Sequence, residues 1–281
     1  MATARTDVVT LEARTPAVAL PLRAGRRRRI PRWVRRLAGP VLLLAVWQLA
    51  SSVGWIGEKT LAPPSTVLAT GWDLLQTGEL QANLWASLQR VIIGLTLGTA
   101  VGVSLAVVAG LFRIGEDLID GPVQMLRTLP VLALVPLFIV WFGIDETPKI
   151  ALIVFGTAFP IYLNTYSGIR NVDVRLVEAA TTLGMGRAAL IRYVILPGAW
   201  TSFLVGLRYS LGIAWLVLVV SEQINATDGL GDMMTRAREF NRLDIIVLGL
   251  VLYAVLGLLS DLVVRGLERT TLSWRRSFSG T

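Results

Sequence analysis

Few side chains in this 281-residue chain are suited to catalysis. Cysteine and histidine are absent, which removes thiol nucleophiles, the most common general base and most zinc sites. The two lysines, Lys59 and Lys149, do not follow a glycine-rich phosphate-binding loop. The most similar segment, at 57–60, has Glu58 where that loop requires glycine. We therefore expect no catalytic residue, no metal site and no cofactor in this chain. If the chain takes part in an energy-driven process, the energy must come from a partner protein.

Charged residues within apolar stretches are the other candidates for function. Arg127 and Arg208 lie inside long apolar segments, and Glu222 ends one of them. A charge at such depth is costly unless it is paired or hydrated. Arg127, Arg208 and Glu222 are therefore candidates to line a pathway for an anionic solute. Pro130 is a fourth candidate, since a proline there is expected to kink the apolar segment that contains Arg127. The more common fate of such arginines is structural, through pairing with a carboxylate such as Asp120 or Glu222 or through reaching the interface.

The elements that hold these residues are membrane helices. Hydrophobic residues make up 54% of the chain and the mean hydropathy is +0.63, more than a soluble core of this length needs. We expect an all-α integral membrane protein with six transmembrane helices, over 37–56, 85–112, 118–142, 150–169, 199–220 and 243–267. Between them we expect an outer interfacial helix within 57–83, charged turns at 113–117 and 145–149, and a polar connection over 222–242.

Arginine placement predicts the orientation. Residues 1–36 form a basic tail, 37–83 the first transmembrane helix with its outer interfacial segment, 84–268 a transmembrane core with a polar loop at 171–197, and 269–281 a second tail. Both tails and the loop are arginine-rich, so the positive-inside rule predicts that they are cytoplasmic. The basic tail could be misread as a nucleic-acid arm, but the apolar stretch after it favours a flank on anionic lipid and no nucleic-acid partner. Arg90 is expected to be an interfacial anchor.

Small residues recur every four positions in the second predicted span. Gly94, Gly98, Gly102, Ala106 and Gly110 form one smooth helix face. Such a face permits close helix contact in lipid. The sequence leaves two alternatives open, a contact within one subunit and a seam between two copies.

The loop at 171–197 predicts a helix-turn-helix on the membrane surface. Asp173 can cap a short amphipathic helix, and Gly184 with Gly186 permits a sharp turn. A second short helix is expected over 187–196. Pro197 lacks a backbone N–H and suits a first helical position, so it is expected to start the next element.

The spacing of this loop resembles a known motif. Glu178, Ala179 and Ala180 are followed by Gly184, and Leu196-Pro197 begins twelve residues later. This pattern is similar to the EAA loop of binding-protein-dependent ABC importer permeases, and it departs only at Val194, where isoleucine is common. The resemblance implies that the loop is a coupling helix that docks on an ATPase subunit. The coupling residues would be Arg175, Glu178, Ala179, Ala180, Gly184, Leu196 and Pro197.

The resemblance extends over residues 46–276. The stretches VWQLASSVGWI, QMLRTLPVLALVPLFIVWFGIDETPKI, FPIYLNTYSGIRNVD and AREF resemble the aliphatic-sulfonate branch of a permease group that also imports taurine, nitrate and bicarbonate. It implies a type I permease fold in the bacterial inner membrane and a homodimer. The implied partners are two cytoplasmic ATPases, which bind ATP and Mg²⁺, and an extracytoplasmic solute-binding protein.

Two other classes are weighed against this interpretation. A stand-alone secondary transporter or channel would need ion-relay carboxylates deep in the spans, and only Glu222 and Asp120 come near that requirement. An intramembrane enzyme would need nucleophiles or metal ligands that the sequence does not offer. Uptake without an ATPase would favour the first class, and activity of the purified chain alone would favour the second.

Overall fold

The computed structural model describes residues 32–57 and 60–272, and these residues form only helices and turns, as predicted. The predicted tails 1–36 and 269–281 lie largely outside the described residues. Contacts divide the chain after Leu43, and the packed unit begins at Leu44. A 3₁₀ turn spans Val131–Leu134 and a π-helix spans Ile191–Ile195. The α-helices are α1 (Arg32–Ser52), α2 (Pro64–Gln76), α3 (Glu79–Leu111), α4 (Arg113–Leu126), α5 (Val135–Phe142), α6 (Glu146–Arg170), α7 (Val174–Thr182), α8 (Arg187–Leu190), α9 (Leu196–Asn225), α10 (Leu230–Glu239) and α11 (Leu243–Thr271).

Four helical segments are long and apolar enough to cross a bilayer. They are α3, α6, α11 and the segment Arg187–Ile224, which joins α8, the π-helix and α9. A bend of 86° separates α4 from α5, and the two helices add a fifth crossing if they are counted as one broken span. The apolar described part of α1, Ala38–Ser52, is shorter than the roughly 20 residues that a crossing needs. The first predicted span, over 37–56, which would bring the number of crossings to six, therefore stays a prediction.

The third predicted span differs most from the structure. The predicted turn at 113–117 is wrong, because α4 begins at Arg113, and the predicted turn at 145–149 is wrong because α6 begins at Glu146. Pro130 precedes the 3₁₀ turn, and Pro136 lies in the first turn of α5. Proline is tolerated at the start of a helix, where its missing N–H is not needed. The two prolines therefore begin new helical segments instead of kinking one long helix.

The glycine face of α3 packs against α6 of the same chain. A Cβ atom added at Gly102 would lie 2.6 Å from the carbonyl oxygen of Ala158, and one at Gly94 would lie 2.6 Å from Cγ2 of Ile153. Ala106 is fully buried. These contacts decide between the two alternatives in favour of an interface within the subunit.

Helix α6 also packs closely on its other neighbour, α9. A Cβ atom at Gly206 would lie 2.8 Å from the carbonyl oxygen of Pro160, and one at Gly168 would lie 3.0 Å from that of Ala199. Helix α6 thus contacts α3 through one set of glycines and α9 through another. The largest apolar cluster in the described chain lies among these helices and α5, and it contains Val91, Val135, Phe138, Leu152, Ile153, Ala214, Trp215, Val217 and Leu218.

The predicted interfacial segment within 57–83 contains α2. Thr70 on its inner side donates a hydrogen bond of 2.7 Å from Oγ1 to Oδ2 of Asp244, at the start of α11. Leu68 and Trp72 on the other side are exposed. A helix of this kind, apolar on its outer face and too short to span, is typical of the membrane interface.

The predicted polar connection over 222–242 contains a further helix, α10. Its buried residues include Leu230, Met233, Met234 and Ala237, which recur at helical spacing. Leu230 and Met233 share an apolar cluster with Leu80 of α3. The connection is therefore a packed part of the protein at the end opposite the loop at 171–197.

Candidate coupling surface and a buried charge cluster

Helix α7 begins and ends as the sequence predicts. Asp173 is its N-cap, and its Oδ1 atom accepts a hydrogen bond of 2.9 Å from the backbone N–H of Arg175. The turn after the helix depends on Gly184, whose φ of +82° is in the left-handed region. Both local predictions are confirmed.

Two backbone hydrogen bonds lock this turn. The N–H of Gly184 donates to the carbonyl oxygen of Thr181 at 2.9 Å, and the N–H of Met185 donates to that of Ala180 at 3.1 Å. This pair of bonds is the Schellman arrangement, which favours glycine at the left-handed position. Ala180 is 7% exposed and therefore packs inside the loop. Of the two alanines expected to face a partner, only Ala179 lies on the surface.

The second half of the loop is continuous with the following span. The predicted short helix over 187–196 passes from α8 through the π-helix into α9 without a break. The N–H of Leu196 donates to the carbonyl oxygen of Ile191, five residues earlier, and Pro197 follows at the start of α9. The ring of a proline clashes with the carbonyl four residues before it, and the wider π turn relieves this contact. Pro197 therefore does not separate the loop from the span.

Large apolar side chains of this loop face outward. The exposed fractions are 85% for Leu183, 65% for Val174, 57% for Leu176 and 65% for Tyr193. Glu178 is also exposed. Exposed apolar residues clustered on a polar loop are typical of a surface that binds another protein. We call this loop, residues 174–196, the coupling surface, after the role that its resemblance to the EAA loop implies.

Arg187 connects the coupling surface to α3. The guanidinium carbon of Arg187 lies 5.5 Å from the centre of the Phe112 ring, directly after α3. The carboxyl-terminal ends of α3 and α6 and the amino-terminal end of α9 therefore lie together at what we call the loop end of the helices.

The structure separates the four candidate pathway residues. Arg208 pairs with two carboxylates of α11, since its Nη2 atom lies 2.8 Å from Oε2 of Glu268 and its Nε atom 3.2 Å from Oδ1 of Asp261. Arg208 is therefore a paired, structural arginine, although its partners are not Asp120 or Glu222, the carboxylates suggested by the sequence. Arg127 and Pro130 are exposed near the bend between α4 and α5, and Arg127 has no ion pair among the described residues. Their role in a solute pathway stays a prediction.

Glu222 lies in a buried cluster with Arg90, at the end opposite the loop end. Arg90 is 4% exposed, so its predicted place as an interfacial anchor is wrong. Its Nη1 atom lies 2.6 Å from Oε1 of Glu222, and its Nε and Nη2 atoms donate to both carboxylate oxygens of Glu146 at 2.6 and 2.8 Å. Asp228 also pairs with Arg90, and Lys149 pairs with Glu146 at 2.8 Å. The cluster joins α3, α6 and α9 to the segment before α10.

The pKa of one carboxyl group beside this cluster differs from its ordinary value. Burial raises the pKa of Asp232 on α10 above its ordinary value, and the nearby charge of Arg236 opposes the rise. Within the described residues, no group of acidic, cysteine or histidine side chains is arranged to hold a metal ion.

The geometry describes a multi-pass membrane protein whose loop end carries an exposed, partly apolar loop. The family described as binding-protein-dependent transport system inner membrane component matches residues 98–273. This chain belongs to that family, whose members are permeases of the inner membrane.

Curated relatives extend the match to nearly the whole chain. The aliphatic sulfonates transport permease SsuC of Escherichia coli K12 is 46% identical over 89% of this chain and 96% of its own length. Its namesake in Bacillus subtilis 168 is 41% identical over 95% of this chain and 96% of its own length. The taurine transport permease TauC of E. coli K12 is 35% identical over 83% of this chain and 86% of its own length.

Solved structures match the fold. The crystal structure of an amino acid ABC transporter with histidines superposes with a TM-score of 0.60 at 20% identity, over 70% of this chain and 96% of that one. An inward-facing structure of the MetNI methionine ABC transporter superposes with a TM-score of 0.53 at 17% identity, over 66% of this chain and 94% of that one. The fold is therefore that of a type I ABC importer permease.

Proposed function

We propose that this chain is the permease subunit of an ABC importer for aliphatic sulfonates, driven by ATP hydrolysis in a partner ATPase. The observation that carries the proposal is the exposed coupling surface, where Leu183 and its apolar neighbours have no cover within the described chain. ATP and Mg²⁺ belong to the ATPase, which docks on this surface. The complete assembly has two copies of the permease, two ATPases and an extracytoplasmic solute-binding protein.

The orientation follows from the docking surface. Because ATP is cytoplasmic, the loop end of the helices faces the cytoplasm, and both termini lie on that side. The Arg90 cluster then lies toward the outer face. The arginine bias of the tails supports the same orientation.

Movement passes from the ATPase to the spans through a continuous helix. Since α8, the π-helix and α9 are joined, a displacement of the coupling surface acts directly on α9. Helix α6 packs on α9 through Gly168 and Gly206, and α3 packs on α6, so these helices move together. Alternating access requires that ATP-bound and ATP-free partners favour different tilts of this group.

The solute class is proposed from the relatives. The two sulfonate permeases are 46% and 41% identical to this chain, whereas the taurine permease is 35% and a nitrate import permease is 29% identical. Taurine is itself a sulfonate, and its uptake is the second candidate. Bicarbonate and nitrate are weaker alternatives.

Transport in a defined system tests this proposal. The permease is reconstituted in liposomes with the ATPase and the binding protein encoded beside it, and uptake of labelled methanesulfonate, taurine and nitrate is measured. We expect uptake of methanesulfonate that requires ATP and both partners. Omission of the ATPase is the control. Methanesulfonate uptake without the ATPase, or uptake of nitrate alone, would contradict the proposal.

A further inference from the structure

The Arg90 cluster has no part in the coupling surface, yet it contains the most deeply buried charges in the described chain. Arg90 is 4% exposed and Glu222 is 1% exposed. A buried charge is costly unless its hydrogen-bonding groups are satisfied. The cluster is therefore expected to have a specific role.

All the donors of Arg90 are occupied. Its Nε and Nη2 atoms donate to Glu146, and its Nη1 atom donates to Glu222. The remaining two N–H groups bind Asp228, one through the backbone carbonyl oxygen at 2.9 Å and one through the carboxylate. A guanidinium has five N–H groups, and all five are used. Arg90 therefore has no free donor for a solute, which indicates a positioning role.

Glu222 is satisfied in the same way by several elements. The single O–H of Ser87 on α3 is shared between its two carboxylate oxygens, which lie 2.8 and 2.9 Å from Oγ, and the N–H of Gly231 on α10 donates to it at 2.9 Å. The hydroxyl of Tyr253 on α11 donates to it at 3.2 Å. One carboxylate on α9 thus contacts α3, α10 and α11.

The chain before α10 is shaped to fit this cluster. Gly229 has a φ of +109°, and a Cβ atom there would lie 2.5 Å from Oε1 of Glu222 and 2.6 Å from Nη1 of Arg90. Its N–H donates to Oδ1 of Asn83 at 2.9 Å, and the N–H of Leu230 donates to Oγ of Ser87 at 2.9 Å. A side chain at position 229 would displace the ion pair.

The ion pairs nearer the loop end are more exposed. The pair between Arg208 and Asp261 has side chains that are 42% and 27% exposed, and the pair between Arg170 and Glu116 has side chains that are 48% and 30% exposed. Arg90 and Glu222, at 4% and 1% exposed, are buried far more deeply than the members of these two pairs. The buried ion pairs of the described chain therefore lie at the end away from the coupling surface.

We propose that Arg90 and Glu222 are positioning residues for energy coupling, which hold the outer ends of α3, α6, α9 and α10 together as one fixed joint. A displacement at the coupling surface then tilts the helices about this joint, and they do not slide past one another. The inference rests on the proposed function for its transport readout. The joint itself can be measured in the permease alone.

Cysteine labelling tests the joint directly. The chain has no cysteine, so Leu80→Cys introduces a unique thiol. Leu80 is 8% exposed and lies against Leu230 and Met233. We expect a water-soluble maleimide to label this thiol slowly in the parent chain and at least about tenfold faster when Arg90→Lys or Glu222→Gln is added, since each change leaves a buried charged partner unsatisfied. Arg208→Lys is the matched control, and it should leave the labelling rate unchanged.

Energy coupling supplies the second measurement. In the reconstituted importer, Arg90→Lys and Glu222→Gln should lower the maximal rate of solute-stimulated ATP hydrolysis by about tenfold, because weakening the joint removes part of the force transmitted to the pathway. The solute concentration for half-stimulation should not change, since neither residue binds solute. Unchanged labelling and unchanged stimulation in both variants would overturn the inference. If the parent importer shows no sulfonate response, the proposed function fails, while the labelling rates still decide on the joint.

Discussion

Replacing Gly184 with proline should abolish solute-stimulated ATP hydrolysis by the partner ATPase while the permease still inserts into the membrane. Proline fixes φ near −65°, whereas Gly184 has a φ of +82°. Proline also lacks the N–H that binds the carbonyl oxygen of Thr181 at 2.9 Å. The turn that sets the angle between α7 and α8 would be lost, and with it the geometry of the coupling surface. Glu178→Arg, which reverses an exposed charge on the same surface, should also uncouple the importer.

Gly186 provides a matched control two residues away. Its φ of −68° is already that of proline, and nothing lies within 4 Å of an added Cβ atom. Gly186→Pro should therefore keep most of the stimulation. Membrane insertion and ATPase stimulation are measured for both variants in the same liposomes. Full stimulation in Gly184→Pro would show that the turn does not transmit the movement.

A single methyl group at Gly102 should prevent close packing of α3 on α6. The Cβ atom of Gly102→Ala would lie 2.6 Å from the carbonyl oxygen of Ala158, a backbone atom that cannot rotate away. Overpacking of this kind costs about 1–3 kcal/mol. We expect lower yield of folded permease and a lower thermal unfolding midpoint in detergent.

Gly257→Ala on α11 adds the same methyl group where nothing lies within 4 Å. This control should unfold at the parent midpoint, measured by light scattering or a thiol-independent dye. Equal unfolding midpoints for the Gly102 and Gly257 variants would mean that α3 and α6 are farther apart than the structure places them.

Local features of the coupling surface could be predicted from the sequence because they depend on neighbouring residues. Asp173 caps the helix that follows it, and Gly184 supplies the backbone conformation that ends it. The continuity of α8 with α9 could not be predicted in this way. A proline usually marks the boundary of a helix, but the π-helix over Ile191–Ile195 accommodates Pro197 within a continuous one.

The Arg90 cluster was missed because its members are far apart in the sequence. Glu146 and Glu222 lie 56 and 132 residues from Arg90. No local pattern links them, and an arginine near the start of a span usually lies at the interface. One sequence signal for this region was available, since Leu230, Met233, Met234 and Ala237 have the spacing of an amphipathic helix. That pattern predicts α10 within the polar connection.

The glycine face of α3 shows both the strength and the limit of sequence patterns. The spacing of Gly94, Gly98 and Gly102 predicts a close helix contact, which is confirmed. It does not name the partner, because any helix with a suitable surface can occupy such a face. Only the position of Ala158 and Ile153 identifies α6 of the same chain.

Protection of the coupling surface by the ATPase is the most direct test of the account. Leu183 is 85% exposed, and the chain has no cysteine, so Leu183→Cys gives a unique thiol at the centre of this surface. Thr227→Cys, near the opposite end, controls for the sidedness of the vesicles. In inside-out vesicles a water-soluble maleimide should label Leu183→Cys when the ATPase is absent and fail to label it when the ATPase is bound. Labelling only from the outer face, or labelling that the ATPase does not change, would contradict the assignment of this loop as the docking site.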